Sequence, residues 1–406
     1  MAAGVPQEPE PKAPAICDHM PTILDRLENH QVVVVSAAPG SGKSSVLPRY
    51  LAHAGYAPVI CAQPRHLAVT VASARVGQGW ESHVTFTTTR RLIDALRLRD
   101  DGPAPAAASP LAAFRTVVID EAHDRTLCTD VLLGMARVAV AAGQMGHLRV
   151  VVCTAGGPAD DLLSDFFDAP VVAFQRAVHA VGVRYSRGPM LDMVSAVVDE
   201  VADIHRSKPA GDVLAFLPDV ARIEDVYGQL EQLGLPGMAV CLVHDNLPAE
   251  LMSSVLEPAP GGARKVVLAT DVAETAVLVP GITYVVDAGV LSEDPLERVS
   301  KEAANRRAAV AGGAGCPGHC HRLYTEDEYA GFDEHTVPHI RRDGALSKLA
   351  CMLKRYAADG MPGFELPDQE VAPALQDVVG ELVASGYLDK HGKLTEKGKH
   401  EAYDED

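Results

Sequence analysis

The sequence predicts an α/β protein built on parallel sheets, and two observations lead to this prediction. Short runs of Val, Ile and Leu recur along the chain and are typical of strands buried on both faces. Amphipathic helical stretches separate these runs, and such alternation favours a parallel sheet with helices on both sides. The clearest predicted strands are Val32–Val35, Val117–Ile119, Val150–Val152, Val213–Leu217, Val266–Leu268 and Tyr284–Val286.

The domain organisation follows from changes in composition and periodicity along the 406 residues. Residues 1–16, rich in Pro, Ala and Glu, predict a disordered tail. Two α/β units follow, which we place at residues 17–175 and 176–335, with the boundary after the turn at residues 168–170. Residues 336–406 change to a helical period and end in a predicted helix and hairpin before an acidic tail. This pattern favours a small winged-helix-like α+β module; a helical cap on the second sheet is the alternative.

Composition limits the class of protein. The formal charge of −18 argues against a uniformly positive surface that coats nucleic acid, although a local basic channel remains compatible with it. The chain has no uninterrupted apolar run of 18 residues, so we expect no membrane span. Its 8 cysteines show no disulfide framework. This usage predicts an intracellular protein, cytoplasmic or nuclear, in a reducing compartment.

A phosphate-binding loop is predicted directly after the first buried strand. The stretch from Ala37 to Ser44 reads Ala-Ala-Pro-Gly-Ser-Gly-Lys-Ser, with Ala37 at the first Gly of the general pattern. A Gly-rich turn between strand and helix directs backbone N–H groups at phosphate oxygens. We expect Lys43 to reach the β- and γ-phosphates of ATP and the Ser44 hydroxyl to bind Mg²⁺. The residues predicted to bind nucleotide here are Gly40, Ser41, Gly42, Lys43, Ser44 and Ser45.

An acid pair follows a later buried strand. Asp120 and Glu121 come directly after Val117–Ile119, where a parallel strand places side chains at the ligand-binding edge of its sheet. Magnesium prefers oxygen ligands, so Asp120 and Glu121 join Ser44 as predicted metal ligands. We expect Glu121 also to orient or deprotonate the attacking water.

With the following Ala122 and His123, the acid pair resembles the Asp-Glu-Ala-His signature of the DEAH-box helicases, a branch of helicase superfamily 2. Further motifs of that family have similar segments here, in the same order. Motif Ia resembles residues 63–68, motif III residues 154–156, motif IV residues 211–218 and motif V residues 269–275. The likeness runs from about Ile23 to Lys399.

The resemblance implies two RecA-like domains with ATP and Mg²⁺ in the cleft between them and activity as an ATP-dependent RNA helicase. Single-stranded RNA would be held across both domains through its phosphates, without sequence preference, by a monomer. Phosphate contacts position a nucleic acid without reading its bases. The resemblance assigns RNA contacts to Arg65, Thr70 and Thr270 and nucleotide contacts to Arg75 and Arg307. It places Lys43, Asp120, Glu121 and His123 in the catalytic set.

The chain departs from the family at motif VI, which reads Gln-Arg-x-Gly-Arg-x-Gly-Arg there. Here the segment starts at Arg306-Arg307, and Val310 and Gly313 take the places of the last two arginines. In the family those two act as arginine fingers on the γ-phosphate, and such a finger is worth roughly 10³–10⁵ in turnover. The departure therefore leaves open a pseudo-helicase that binds ATP and RNA as a scaffold or clamp.

A further difference concerns the end of the chain. Members of the family usually continue into a helical bundle and an oligonucleotide-binding barrel, which are not recognisable here. We therefore expect an open RNA path and a protein activator for processive unwinding. A third alternative is a nucleoside triphosphatase with no role in nucleic-acid binding.

Overall fold

The computed structural model describes residues 14–76, 83–96, 113–141, 147–175, 179–275, 277–293, 295–313, 317–342, 344–356 and 364–402. The predicted tail ends before Ala15, because Ala15–His19 form a 3-10 helix and the side chain of Ile16 is fully buried. Ile16 also donates its backbone N–H to the carbonyl of Ser41 at 3.0 Å, so this segment packs on the predicted phosphate loop. Residues 1–13 lie outside the described residues.

The first domain is a parallel sheet with helices on both faces. Its described strands are β1 (Val32–Ala37), β2 (Val59–Gln63), β3 (Val84–Thr88), β4 (Thr116–Ile119), β5 (Arg149–Thr154) and β6 (Val171–Phe174), in the order β3-β2-β4-β5-β1-β6. Its described α-helices are α1 (Met20–Asn29), α2 (Leu47–Leu51), α3 (His66–Val76), α4 (Thr89–Leu96), α5 (Leu127–Ala141) and α6 (Pro158–Phe167). Alternate residues of β1 enter different apolar clusters, Val32 and Val34 one, Val33 and Val35 the other. Burial of both faces explains why this strand is a continuous apolar run.

The second domain repeats this architecture. Its described parallel strands are β7 (Val181–Tyr185), β8 (Asp212–Phe216), β9 (Met238–Val243), β10 (Arg264–Ala269), β11 (Ile282–Asp287) and β14 (Gly318–Arg322), in the order β7-β14-β11-β8-β10-β9. An antiparallel hairpin of β12 (Val290–Glu293) and β13 (Leu296–Arg298) projects beside the sheet. Its described α-helices are α7 (Met193–Ser207), α8 (Val220–Leu233), α9 (Met252–Leu256), α10 (Val272–Thr275), α11 (Lys301–Val310) and α12 (Glu326–Ala330). The α/β prediction is therefore confirmed, and each predicted strand lies in a strand of the structure, except for Leu217, one residue past β8.

The C-terminal module packs on the first domain. It contains α13 (Ala345–Arg355), α14 (Ala372–Ala384), a small antiparallel bridge between Leu388 and Leu394, and α15 (Glu396–Glu401). Its buried leucines, among them Leu349, share an apolar cluster with side chains of α5. A cap on the second sheet does not fit these contacts, and the winged-helix-like module stays a prediction.

Strand order brings the predicted motifs together. Because β4, β5 and β1 are neighbours, the loops after their carboxyl ends meet at one edge of the first sheet. These loops carry the phosphate loop, the acid pair and residues 154–156. The second domain faces this edge and contacts it through α3, whose Leu67 and Val71 join an apolar cluster of the second domain.

Candidate active site

The conformation of the phosphate loop depends on two glycines and on hydrogen bonds from its own lysine. Gly40 and Gly42 have φ of 77° and 103°, and a Cβ on Gly42 would lie 2.8 Å from Ile16. Lys43 is 3% exposed, and its ammonium donates to the carbonyls of Ala37 and of Ala38, the latter at 3.2 Å. A buried ammonium needs acceptors, and these carbonyls supply them. Regular helix begins only at Leu47, later than the loop pattern predicts.

The acid pair lies in the same crevice as this loop. Asp120 is fully buried and accepts hydrogen bonds from the Gln63 amide at 2.7 Å and from the backbone N–H of Glu121 at 3.0 Å. Glu121 lines a cavity of about 100 Å³ together with Lys43 and Ser44. Its Oε2 is buried and has no hydrogen-bond partner among the described residues. A cation, a hydroxyl and the Glu121 carboxyl group thus line one cavity, and Gln63, which donates to Asp120, lines it as well.

Burial controls the protonation of this site. Burial and then the charge of Asp120 raise the pKa of Glu121 to about 8, although Lys43 acts in the opposite direction. Burial, Arg306 and Lys43 lower the pKa of His123 to about 3, so this imidazole is neutral at pH 7.

His123 connects the acid pair to the next loop of the sheet. Its Nδ1 accepts the backbone N–H of Ala155 at 3.2 Å, which assigns its proton to Nε2. That nitrogen lies 3.6 Å from Oε2 of Glu121. The imidazole thus lies between the acid and the loop after β5, hydrogen-bonded to the loop but beyond hydrogen-bond distance of the acid.

The two charged residues of the motif VI segment have different environments. Arg307 is 1% exposed and pairs with Asp287 at 2.9 Å and with Glu274 at 3.2 Å. This arrangement does not fit the prediction that Arg307 contacts nucleotide, because the guanidinium is held inside the second domain. Arg306, whose side chain is 16% exposed, instead faces the cleft and pairs with Glu274 at 2.7 Å and with Glu302 at 2.8 Å.

The two positions that lack arginine also face the phosphate loop. Val310 and Gly313 line a cavity of about 650 Å³ together with Pro39 and Gly40 of the first domain. Ser300 caps α11 by accepting the backbone N–H of Ala303, and this helix carries Arg306 and Val310 to the cleft. The motif VI segment is therefore placed opposite the triphosphate loop, with a single arginine on the cleft side among the described residues of α11.

The chain is similar to known helicases in both sequence and fold. Residues 193–300 match the family model of the helicase conserved C-terminal domain. The pre-mRNA-splicing factor ATP-dependent RNA helicase prp22 of Schizosaccharomyces pombe is 31% identical over 411 residues, which cover 93% of this chain and 35% of that protein. The crystal structure of the Escherichia coli DEAH/RHA helicase HrpB superposes with a TM-score of 0.80 at 25% identity, covering 95% of this chain and 52% of that one.

The chain belongs to the DEAH-box family of superfamily 2. Its two parallel-sheet domains have the RecA-like fold of these helicases. This DEAH-box chain spans about a third of the length of the splicing helicase that it matches, and about half of the HrpB chain.

The residues predicted to bind RNA lie around the junction of the two domains. Arg65 of the DEAH-box chain pairs with Asp271 at 2.7 Å and with Asp245 at 2.8 Å, both in the second domain. Burial lowers the pKa of Arg65, but these two carboxylates outweigh it and raise the pKa above its usual value. Thr70 donates to the carbonyl of His66 at 3.3 Å. The hydroxyl of Thr270 is buried and has no hydrogen-bond partner among the described residues.

Arg75, the predicted contact for the nucleotide base, also reaches the second domain. It lines the cavity of Lys43 and Glu121, and it donates to the carbonyl of Leu278 at 2.9 Å. Burial lowers its pKa. Arg75 and Arg65 thus both cross the domain boundary, so nucleotide or RNA would have to share these guanidinium groups with protein acceptors.

The acidic partners in the second domain were not predicted from the sequence. Asp271 and Glu274 lie in the motif V segment, residues 269–275, with no role of their own, and Asp245 and Glu302 lie outside the motifs. The pairing of Glu302 with Arg306 could have been found from their spacing, because residues four apart share one face of a helix. The pairings of Arg65 with Asp245 and Asp271 span 180 and 206 positions and carry no local signal.

In the described part of the chain, no helix combines the length and the apolar character needed to cross a membrane.

Proposed function

We propose that this chain is an ATP-dependent RNA helicase or RNA-stimulated ATPase, which hydrolyses ATP between its two domains and thereby moves or remodels single-stranded RNA. One observation supports this proposal above the others. Lys43 and Ser44 line one cavity with Glu121, and the second domain faces them with Arg306. Such a cleft allows a nucleotide to join two domains that also share an RNA path.

The residues have separate roles in this proposal. Lys43 exchanges its loop carbonyls for the β- and γ-phosphates of ATP. Ser44, Asp120 and Glu121 offer the oxygen ligands that Mg²⁺ prefers, and the unpartnered Oε2 of Glu121 fits such a role. When bound, the metal neutralises phosphate charge. Glu121 orients the attacking water, with the neutral imidazole of His123 beside it.

RNA binding in this proposal uses the domain junction. Arg65, Thr70 and Thr270 contact phosphates of a single strand without reading its sequence. Arg65 must then leave Asp245 and Asp271, so RNA competes with an ion pair between the domains. Hydrolysis and RNA binding are coupled because both act on the same junction.

The experiment is a phosphate-release assay of the full chain with Mg²⁺-ATP, with and without single-stranded RNA. We expect turnover that RNA increases and that Lys43→Ala abolishes. Nucleotide binding without turnover above background would contradict hydrolysis. Failure to crosslink any RNA would contradict the nucleic-acid role and leave a different type of triphosphatase.

A second function is favoured by the motif VI segment. With Val310 and Gly313 at the cleft and Arg307 held by Asp287, the chain would bind ATP and RNA as a clamp with little turnover. ATP binding measured by calorimetry, together with no phosphate release at any RNA concentration, would favour this pseudo-helicase.

The cellular setting is also a proposal. An intracellular location, cytoplasmic or nuclear, agrees with the seven free cysteines among the described residues. We propose that the chain acts as a monomer. A sedimentation measurement with and without RNA would test the monomer.

A further inference from the structure

Arg306 occupies a position at the domain junction that no other arginine of α11 shares in the described residues. It lines two cavities, of about 580 and 650 Å³, that lie between the two domains. The first cavity is also lined by His123, and the second by Gly40. The guanidinium therefore borders both the acid-pair loop and the phosphate loop of the first domain.

The charge of Arg306 also acts across the cleft. It lowers the pKa of Glu121 against the stronger effect of burial, and it contributes to the lowered pKa of His123. Arg307, one residue later, is fully enclosed by Glu274, Asp287 and the ring of Phe216, 4.8 Å from its guanidinium carbon. Only the first of the two arginines is in a position to reach a ligand in the cleft.

Two carboxylates hold Arg306 by different atoms. Glu274 accepts from its Nε at 2.7 Å, while Glu302 contacts its Nη1 at 2.8 Å. Glu302 itself projects toward the first domain, since a Cβ on Gly157 would lie 3.0 Å from its Oε1. It also contacts Nδ1 of His335 at 3.1 Å. Release from Glu302 would free the end of the guanidinium and leave its Nε on Glu274.

We propose that Arg306 exchanges Glu302 for the terminal phosphate of the bound nucleoside triphosphate, and so supplies the positive charge that Val310 and Gly313 lack. The inference rests on the proposed function. A phosphate group carries more charge than a carboxylate, and the planar guanidinium fork matches its oxygens. Glu274 keeps the side chain aimed at the cleft, and Glu302 is the group that competes with the phosphate.

The test compares Arg306→Ala, Arg306→Lys and Glu302→Gln with the wild type. Arg184→Ala, which removes an exposed arginine paired with Glu200 on the edge strand β7, is the control. Affinities for Mg²⁺-AMP-PNP and Mg²⁺-ADP are measured by calorimetry, and turnover by phosphate release. Thermal melting of each variant shows that it is folded.

We expect Arg306→Ala to lower turnover by roughly 10³-fold or more. Its affinity for AMP-PNP should fall about 10-fold, the value of a charged hydrogen bond, while its affinity for ADP stays the same. Arg306→Lys should keep part of the turnover and part of the AMP-PNP affinity that Arg306→Ala loses. Glu302→Gln should keep or increase the affinity for AMP-PNP, because it removes the competing charge.

Two results would overturn the inference. One is that Arg306→Ala changes the affinities for AMP-PNP and ADP equally, or changes neither affinity. The other is that Glu302→Gln lowers the affinity for AMP-PNP as much as Arg306→Ala does. The ion pair between Arg306 and Glu302 would then have a structural role. If Lys43→Ala abolishes turnover and Arg306→Ala does not, the proposed function stands without this role for Arg306. If the wild type binds neither nucleotide, both fail.

Discussion

The two walls of the cleft between the domains differ in the number of polar and charged side chains that they present to a nucleotide. The wall of the first domain carries Lys43, Ser44 and Glu121 around one cavity. The wall of the second domain presents Val310, an apolar residue, and its one arginine on the cleft side of α11, among the described residues, is tied to two carboxylates. We infer that the first wall supplies most of the groups that bind nucleotide, whereas turnover requires side chains of both walls.

The largest expected effect is the loss of turnover when Glu121, on the first domain's wall of the cleft, is changed. Glu121→Gln removes the carboxyl group that orients the attacking water but keeps the shape of the side chain, so turnover should fall by roughly 10²–10⁴-fold. Binding of Mg²⁺-AMP-PNP should persist. Phosphate release and calorimetry measure the two quantities, with the exposed Asp165→Asn on α6 as control. Equal turnover in Glu121→Gln and the wild type would remove Glu121 from the chemistry.

The next effect concerns the attachment of the C-terminal module to the first domain. Leu349 is fully buried in the cluster shared with α5. Leu349→Ala should therefore lower the free energy of unfolding by about 2–5 kcal/mol. Val383→Ala, at a site 40% exposed, should change it by less than about 0.5 kcal/mol. Denaturant unfolding of both variants gives the comparison, and similar values would mean that the module is not part of this core.

We expect turnover to rise when an arginine is added to the second domain's wall of the cleft. Val310→Arg places a guanidinium at a residue that lines the cleft beside Gly40. Turnover should rise at least about 10-fold, since a well-placed finger is worth roughly 10³–10⁵. Gln229→Arg, on the exposed side of α8, adds the same charge elsewhere and should have no effect. A fall or no change in Val310→Arg would show that the second wall does not limit turnover.

The smallest effect is expected for RNA. Arg65→Ala removes one phosphate contact, so the slope of log affinity against log salt should become less steep by about 0.7. Asp271→Asn should strengthen RNA binding, because it weakens the ion pair that RNA must displace. Fluorescence anisotropy with labelled single-stranded RNA measures both, and Arg206→Ala, exposed on α7, is the control. Unchanged slopes would exclude Arg65 from the RNA path.

The sequence was sufficient to predict most of the fold. Runs such as Val32–Val35 are buried on both faces, and that environment leaves a continuous apolar pattern that can be read locally. Lys43 and Glu121 were also predictable, because the carboxyl ends of neighbouring parallel strands meet at one edge. The late start of the helix at Leu47 could not be predicted. It accompanies the turn of Lys43 back to the carbonyls of Ala37 and Ala38.

Contacts between the domains could not be read from the chain. Arg65 and Asp271 form an ion pair across the cleft, and no periodicity connects residues so far apart. The two adjacent arginines of α11 look equivalent in the sequence, yet Arg307 meets Asp287 inside the second domain while Arg306 meets the cleft. The direction of each side chain depends on the packing of the whole helix.

The most direct test of a nucleotide shared by both walls is a structure of the chain with Mg²⁺, ADP and beryllium fluoride. We expect the fluoride group to contact the ammonium of Lys43 and the guanidinium of Arg306, with Glu302 displaced from Arg306. A nucleotide bound only by the first domain, with Arg306 still paired to Glu302, would contradict this account.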